Sequence, residues 1–159
     1  MSAVEKRVDL ASRQKLIRDS WISEQKRSRI CLHHNHSDFR QEMIIRIEKQ
    51  SYIAPHRQLG KTKTYVQLEG EMYLVFFDGK GKYLESDLLK AWGEGTSIVR
   101  FDASIWHTVL PLNNESVYIE TIEGPYNSKD TDYAAWAPTE DDGNGNSWLR
   151  KKVKPNQDL

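Results

Sequence analysis

The side chains with the clearest chemical potential in this sequence are its five histidines: His33, His34 and His36 in one cluster, and His56 and His107 apart from it. An imidazole titrates near neutral pH, so it can serve as a general acid or base, and it is a common transition-metal ligand. Spacing alone does not say which of these rings face one another. The elements that carry them must therefore be placed first.

Three further side chains could take part in chemistry. Cys31, close to the first three histidines, is a candidate ligand or nucleophile, although a lone buried thiol is the more usual case. Glu120 and Glu123 are candidate acid/base groups if they reach a cavity, although surface carboxylates are commoner.

Length and charge limit the classes of protein to consider. The chain has 159 residues, which fits one domain with a core of its own. Its 23 Lys and Arg balance 23 Asp and Glu, which argues against a nucleic-acid partner or a membrane-surface partner. Neutrality also lowers the barrier to self-association. One cysteine, no signal-peptide pattern and no apolar stretch of membrane-spanning length predict a cytoplasmic protein.

Short β-favouring runs dominate the middle of the chain. Residues 63–68 alternate towards the turn pair Glu69-Gly70, and residues 72–77 lead into Asp78-Gly79-Lys80-Gly81, a strong hairpin signal. Turns of Gly, Asn and Pro separate these runs, and no helical pattern lies between them. This pattern predicts an antiparallel all-β sandwich or barrel.

Composition divides the chain into three parts. Residues 1–28 are polar, with apolar residues at loosely helical spacing, and predict a short N-terminal helical arm. Residues 29–140 form the predicted β domain, which ends in a coil. Residues 141–159 are predicted to be a loosely ordered tail.

Two segments resemble the two-motif signature of the cupin superfamily. Within PHRQLGKTKTYVQLEGEMYLVFFDGKG, His56 matches the first histidine of the first motif and Gly70 its closing glycine. Within SIWHTVLPL, His107 matches the histidine of the second motif. The resemblance implies a jelly-roll β-barrel in which these histidines face the interior. It also implies a homodimer, because cupin barrels often pair through a sheet face.

A narrower resemblance joins three stretches of the chain. Over residues 20–140 the chain resembles the WbuC family of small cupin-fold proteins. Three segments carry the resemblance: QKRSRICLHHNHSDFRQEM, which continues the arm and contains the three clustered histidines (the arm histidines), SYIAPHR and EGPYNSKDTDYAAWAP. This family is bacterial, is often described as metalloproteins and is associated with O-antigen (surface-polysaccharide) gene clusters. The resemblance therefore implies a role in lipopolysaccharide biosynthesis.

The sequence departs from the cupin pattern at the expected metal ligands. Gln58 stands where the second histidine belongs, and Lys63 stands where the glutamate belongs. Glutamine is a poor ligand for a transition metal, and a charged lysine repels a divalent ion. A site for Zn, Fe, Mn or Ni therefore keeps only His56 and His107, with His33 as a third ligand if the arm folds over the barrel mouth. Alternatively, the arm histidines are solvated or capping residues.

The replacements favour a different kind of site, a polar and cationic pocket. Such a pocket suits a small anion, for example a sugar carboxylate or the diphosphate of a nucleotide sugar. Gln58 is a predicted substrate-binding residue, as are Tyr65 and Gln67, which share the face of Lys63 if that strand is regular. Core packing for Tyr65 and an exposed position for Lys63 are the alternatives.

Two classes of function follow from this pocket. In the first, the protein is an enzyme acting on an activated sugar, with His56 or His107 as general base and Lys63 stabilising developing negative charge. In the second, the same pocket binds a sugar or carboxylate without turnover, as a ligand-binding or regulatory cupin. A metal-dependent cupin that uses arm histidines is a third possibility.

Overall fold

Two five-stranded antiparallel sheets pack face to face in the computed structural model of this chain, which describes residues 3–156. The elements in chain order are α1 (Leu10–Ile22), β1 (Arg27–Cys31), β2 (Arg40–Glu48), β3 (His56–Gln58), β4 (Thr62–Glu69), β5 (Glu71–Phe77), β6 (Tyr83–Lys90), β7 (Ile98–Asp102), β8 (Trp106–Pro111), β9 (Glu115–Glu123), β10 (Thr131–Tyr133) and α2 (Gly145–Val153). One sheet has the order β1-β2-β9-β4-β7, and the other β10-β3-β8-β5-β6. The predicted cupin jelly roll with a short N-terminal helix is confirmed.

Strand β5 shows why the apolar run at 72–77 is continuous. Met72, Leu74 and Phe76 face the space between the sheets, in the cluster that contains Tyr65 and Tyr118. The alternate residues of β5 face outwards and are covered by α2, through a second apolar cluster that includes Leu149 and Val153. Because both faces of β5 are buried, polar and apolar residues do not alternate along it.

Helix α2 lies within the segment 141–159, which the sequence predicts to be a loosely ordered tail. The helix forms because Leu149 and Val153, one turn apart, are both fully buried against the outside of the second sheet. Residues 157–159 of this tail, and residues 1 and 2 of the predicted arm, lie outside the described residues. The three-part division of the chain stays a prediction.

Helix α1 covers part of the outer face of the first sheet. Leu16 packs against Ile44 of β2 and Val117 of β9. These outer contacts leave the inner faces of both sheets to form the cavity described below. No helix among residues 3–156 is long and apolar enough to cross a membrane.

Candidate functional site

His56 and His107 face each other on neighbouring strands inside the barrel. They are register partners in the pairing of β3 with β8, and their ring centroids lie 4.6 Å apart. Nδ1 of His56 lies 3.0 Å from the carbonyl oxygen of Ala54, and Nδ1 of His107 lies 2.7 Å from that of Ile105. A carbonyl oxygen only accepts hydrogen bonds, so each Nδ1 carries the proton and donates it. Each Nε2 is left as an acceptor.

Lys63 reaches both of these acceptors from the opposite sheet. Its Nζ lies 3.1 Å from Nε2 of His56 and 3.2 Å from Nε2 of His107. The same Nζ lies 3.6 Å from a carboxylate oxygen of Glu120 on β9. An ammonium group has three N–H donors, and here it faces two imidazole nitrogens and one carboxylate. Lys63 is 1% exposed, so these groups take the place of water around its charge.

Burial sets the charge state of this cluster. Burial lowers the pKa of His56 to about 3, and the nearby Lys63 charge contributes to the lowering. Burial and the same charge hold the pKa of His107 well below its ordinary value of 6.5. Burial also lowers the pKa of Lys63, while Glu120 raises it. At neutral pH both imidazoles are therefore uncharged.

A metal ion held by His56 and His107 does not fit this arrangement. A shared metal would have to lie where both Nε2 atoms point, and Nζ of Lys63 occupies that place at hydrogen-bond distance. The positive charge of Lys63 would also repel a divalent ion there. Within the described part of the chain, no group of three or more His, Cys, Asp or Glu side chains could hold a metal.

The third predicted ligand, His33, does not join the other two. Its Nδ1 lies 3.1 Å from both the backbone nitrogen and the backbone oxygen of Glu42, which fixes the ring against β2. His33 does line the wall of the interior cavity, but the structure assembles no three-histidine site from it among residues 3–156.

The cavity between the sheets has a volume of about 480 Å³. Its lining mixes apolar side chains with polar ones, and includes His56, Gln58, Lys63, Tyr65 and Glu120. This volume lies within the range that small-molecule sites in proteins occupy. The structure thus brings five of the predicted site residues, these four and His33, together with Glu120, to one interior space.

Two of the predicted substrate-binding residues line this cavity. Gln58 donates from Nε2 to Oγ1 of Thr131 over 3.3 Å, while its Oε1 is buried and has no hydrogen-bond partner in the described structure. Tyr65 is buried, and its pKa is raised well above the ordinary value by burial and then by the charge of Glu120 and a hydrogen bond to it. An acceptor without a partner and a protonated phenol are both suited to polar recognition of a ligand.

The third, Gln67, lies outside the cavity wall. Its Nε2 donates to Oγ of Ser116 over 2.6 Å and to the backbone oxygen of Glu69 over 2.8 Å. The expectation of a substrate-binding role rests on the face that Gln67 shares with Lys63. Gln67 does share the face of Lys63. Its side-chain amide, however, forms hydrogen bonds with the neighbouring strand β9 and with the end of β4 and does not face the cavity.

The sequence favours a surface position for Glu120, and the structure places it inside. Glu120 is paired in register with Tyr65 on β4, and its side chain is 12% exposed. The alternation of side chains along β9 could have predicted this interior position. Tyr118, Glu120 and Ile122 are every second residue of the strand, so they share one face of it, and all three line the cavity.

Comparisons with known proteins agree with this fold. A family model described as "Domain of unknown function (DUF6016)" matches residues 8–89. No curated protein sequence matches the chain significantly. The chain is structurally similar to CapF with the inhibitor 3-isopropenyl-tropolone, with a TM-score of 0.53 and 12% identity over 67% of this chain and 34% of that one.

Two further solved structures are similar. One is KdgF from Halomonas sp., with a TM-score of 0.50 and 12% identity over 68% of this chain and 86% of that one. The other is oxalate oxidase in complex with the substrate analogue glycolate, with a TM-score of 0.52 and 10% identity over 70% of this chain and 57% of that one. At these identities the likeness shows the cupin fold. The chain spans about a third of the length of CapF.

Proposed function

This chain belongs to the DUF6016 family of domains of unknown function, and we propose that it is a cupin that binds a small polar molecule without a metal ion. One observation carries the proposal: Nζ of Lys63 lies within hydrogen-bond distance of both Nε2 atoms of His56 and His107. The lysine supplies a positive charge at the centre of the barrel, and Glu120 balances that charge. The site is complete as a hydrogen-bonded cluster of the protein's own side chains.

Binding is the role that this geometry supports most directly. Two of the three N–H groups of Lys63 bond to His56 and His107 and the third faces Glu120 at 3.6 Å, so the ammonium offers a ligand at most one donor. Further ligand contacts fall to Gln58, whose Oε1 is a buried acceptor without a partner in the described structure, and to the phenol oxygen of Tyr65, whose hydroxyl group bonds to Glu120. A buried acceptor left unpaired is unfavourable by roughly 1–3 kcal/mol, which a ligand hydroxyl or N–H would relieve.

Catalysis by proton transfer is the second candidate, and one distance favours it. The separation of 3.6 Å between Lys63 and Glu120 is longer than a good hydrogen bond, so this third donor is the one a substrate could take over. His56 and His107 are poor general bases here, because their lowered pKa values lie far from neutrality. In an enzyme, the Lys63 ammonium would donate a proton to the substrate and the Glu120 carboxylate would accept one from it.

Several finer expectations rest on the WbuC resemblance and on composition. These are an activated sugar as the ligand, a place in O-antigen biosynthesis, a cytoplasmic location and a homodimer. The interior cavity, of about 480 Å³, has room for a sugar, which supports the first of these expectations, and the other three stay proposals.

The test combines metal analysis with a ligand screen. Untagged protein is assayed by inductively coupled plasma mass spectrometry, then screened by thermal shift against monosaccharides, sugar acids, nucleotide sugars and small carboxylates. We expect far less than one transition metal per chain, and stabilising ligands whose effect is lost in Lys63→Met and in Gln58→Leu. Lys90→Met is the matched control, because Lys90 forms an ion pair with Glu71 and does not line the cavity.

Three results would contradict the proposal. A stoichiometric transition metal would show that Lys63 does not occupy the metal position in solution. Ligands that stabilise Gln58→Leu as strongly as the wild type would place the binding site elsewhere. A screen without any stabilising ligand would argue against a binding role for the cavity.

A further inference from the structure

The ion pairs of the cavity wall leave one cationic side chain unmatched. Four Lys and Arg side chains line the cavity: Arg27, Arg29, Lys61 and Lys63. Three of them have carboxylate partners: Glu140 for Arg27 at 2.6 Å, Asp130 for Lys61 at 3.2 Å and Glu120 for Lys63 at 3.6 Å. The fourth, Arg29, has no side-chain hydrogen bond or ion pair within residues 3–156. The remaining carboxylate of the wall, Glu123, accepts a hydrogen bond of 2.7 Å from the backbone N–H of Thr62 and does not pair with Arg29.

Strand β1 directs Arg29 towards the cavity. Side chains alternate along a strand, so Arg27, Arg29 and Cys31 share one face of β1, and all three line the cavity. The next residue, Ile30, packs on the other side of the sheet with the cluster beneath α1. Arg29 is exposed, which places its guanidinium at the mouth of the cavity rather than in its depth.

Arg29 and Lys63 lie on different parts of the wall. In the register of the first sheet, Arg29 is opposite Ile45, which is opposite Tyr118, whereas Lys63 is opposite Ile122. These two levels are four residues apart along β9, or about 13 Å at the rise of a β-strand. A ligand that fills the cavity therefore meets an unpaired cation near the mouth and the neutralised Lys63 cluster further along.

We propose that Arg29 binds a carboxylate group of the ligand, and that the ligand is a small monocarboxylic acid carrying hydroxyl groups, such as a sugar acid. This inference rests on the proposed function and names its ligand class. One guanidinium matches one carboxylate through two parallel hydrogen bonds. A nucleotide diphosphate carries more negative charge than a single unpaired arginine balances. The buried Oε1 of Gln58 accepts a hydrogen bond from a hydroxyl of the same ligand.

The test uses ligands that differ only in the carboxylate. Isothermal titration calorimetry compares D-glucuronate with D-glucose and D-galacturonate with D-galactose, and includes UDP-glucose as the nucleotide-sugar probe. The wild type should bind at least one acid about 10-fold or more tightly than its neutral counterpart, because hydrogen bonds to charged groups are strong. Arg29→Gln should remove this preference and leave affinity for the neutral sugar unchanged. Arg29→Lys should retain part of it.

Lys61→Gln is the matched control, since Lys61 is a cavity-wall cation that already has a partner; it should keep the preference for the acid. Equal binding of the acid by Arg29→Gln and the wild type would overturn the role of Arg29 and leave the proposed function standing. Tighter binding of UDP-glucose than of either acid would overturn the monocarboxylic class. Failure of both acids to bind the wild type would overturn it too, while the broader screen above tests the proposed function separately.

Discussion

Nζ of Lys63 lies 3.2 Å from Nε2 of His107, and the two side chains are 1% and 0% exposed. Lys63 belongs to one sheet and His107 to the other, so this hydrogen bond joins the two sheets across the interior of the barrel. A bond between buried groups is not screened by water, and losing either partner leaves the other without compensation. The contact thus has consequences for both stability and chemistry.

Replacing Lys63 should destabilise the fold strongly. Lys63→Met removes the cation, which leaves two imidazole acceptors unpaired and the Glu120 carboxylate without a counter-charge, so we expect a loss of about 3–5 kcal/mol in the free energy of unfolding. Urea denaturation measures this loss. Lys90→Met, which breaks a partly exposed ion pair, should lose about 1 kcal/mol or less. If the two variants are equally stable, the Lys63 cluster does not stabilise the fold.

The histidines should make stability depend on pH. In the unfolded chain an imidazole binds a proton below about pH 6.5, whereas His56 in the folded protein stays neutral to about pH 3. Between these values the unfolded state binds more protons, so acid favours unfolding. The contribution is complete above pH 6.5 and is lost progressively as the pH falls towards 3. Each histidine contributes up to about 1.4 kcal/mol per pH unit.

Urea midpoints between pH 5 and 7 measure this dependence. His107→Gln removes the fully buried one of the two paired imidazoles, and its midpoints should fall less steeply with acid than those of the wild type. Equal slopes for the two proteins would mean that His107 is protonated in the folded state as readily as in the unfolded one.

Divalent metals should not stabilise the protein. A ligand that binds only the folded state raises the melting temperature, and a metal at the paired histidines would do so. Because Lys63 occupies the place between them, we expect no rise with Zn²⁺, Ni²⁺ or Mn²⁺ near stoichiometric concentrations and no fall with a chelator. Differential scanning fluorimetry of untagged protein provides the measurement. A melting temperature that rises with one equivalent of any of these ions would contradict the expectation.

Gly70, which closes the first cupin-like motif, should be intolerant of any side chain. Its φ is +71°, and a Cβ atom there would lie 2.2 Å from the backbone oxygen of Glu115. Gly60 has the same φ, but a Cβ atom there would have no neighbouring atom within 4 Å, so Gly60 isolates the backbone effect. Gly60→Ala should lose roughly 1–2 kcal/mol, and Gly70→Ala about 1–3 kcal/mol more. Thermal or urea unfolding that ranks them equally would contradict the steric argument.

The sequence predicts much of the site because its signals are local. Motif spacing places His56, His107 and Gly70, and alternation and turn residues place the strands. Local signals do not fix how far a side chain extends or what it meets across the barrel. For that reason the sequence did not predict that Gln67, although it lies on the expected face, bonds to Ser116, or that Glu120 lies in the interior.

The sequence by itself determined the jelly-roll class, the N-terminal helix and the loss of two expected metal ligands, because strand period, turn composition and residue identity are properties of the chain alone. Only the tertiary structure decided that Lys63 lies between the two histidines, that Glu120 balances its charge and that Arg29 is left unpaired within residues 3–156. These relationships join residues far apart in the chain. They arise from the register of strands and the packing of one sheet on the other, which no local pattern encodes.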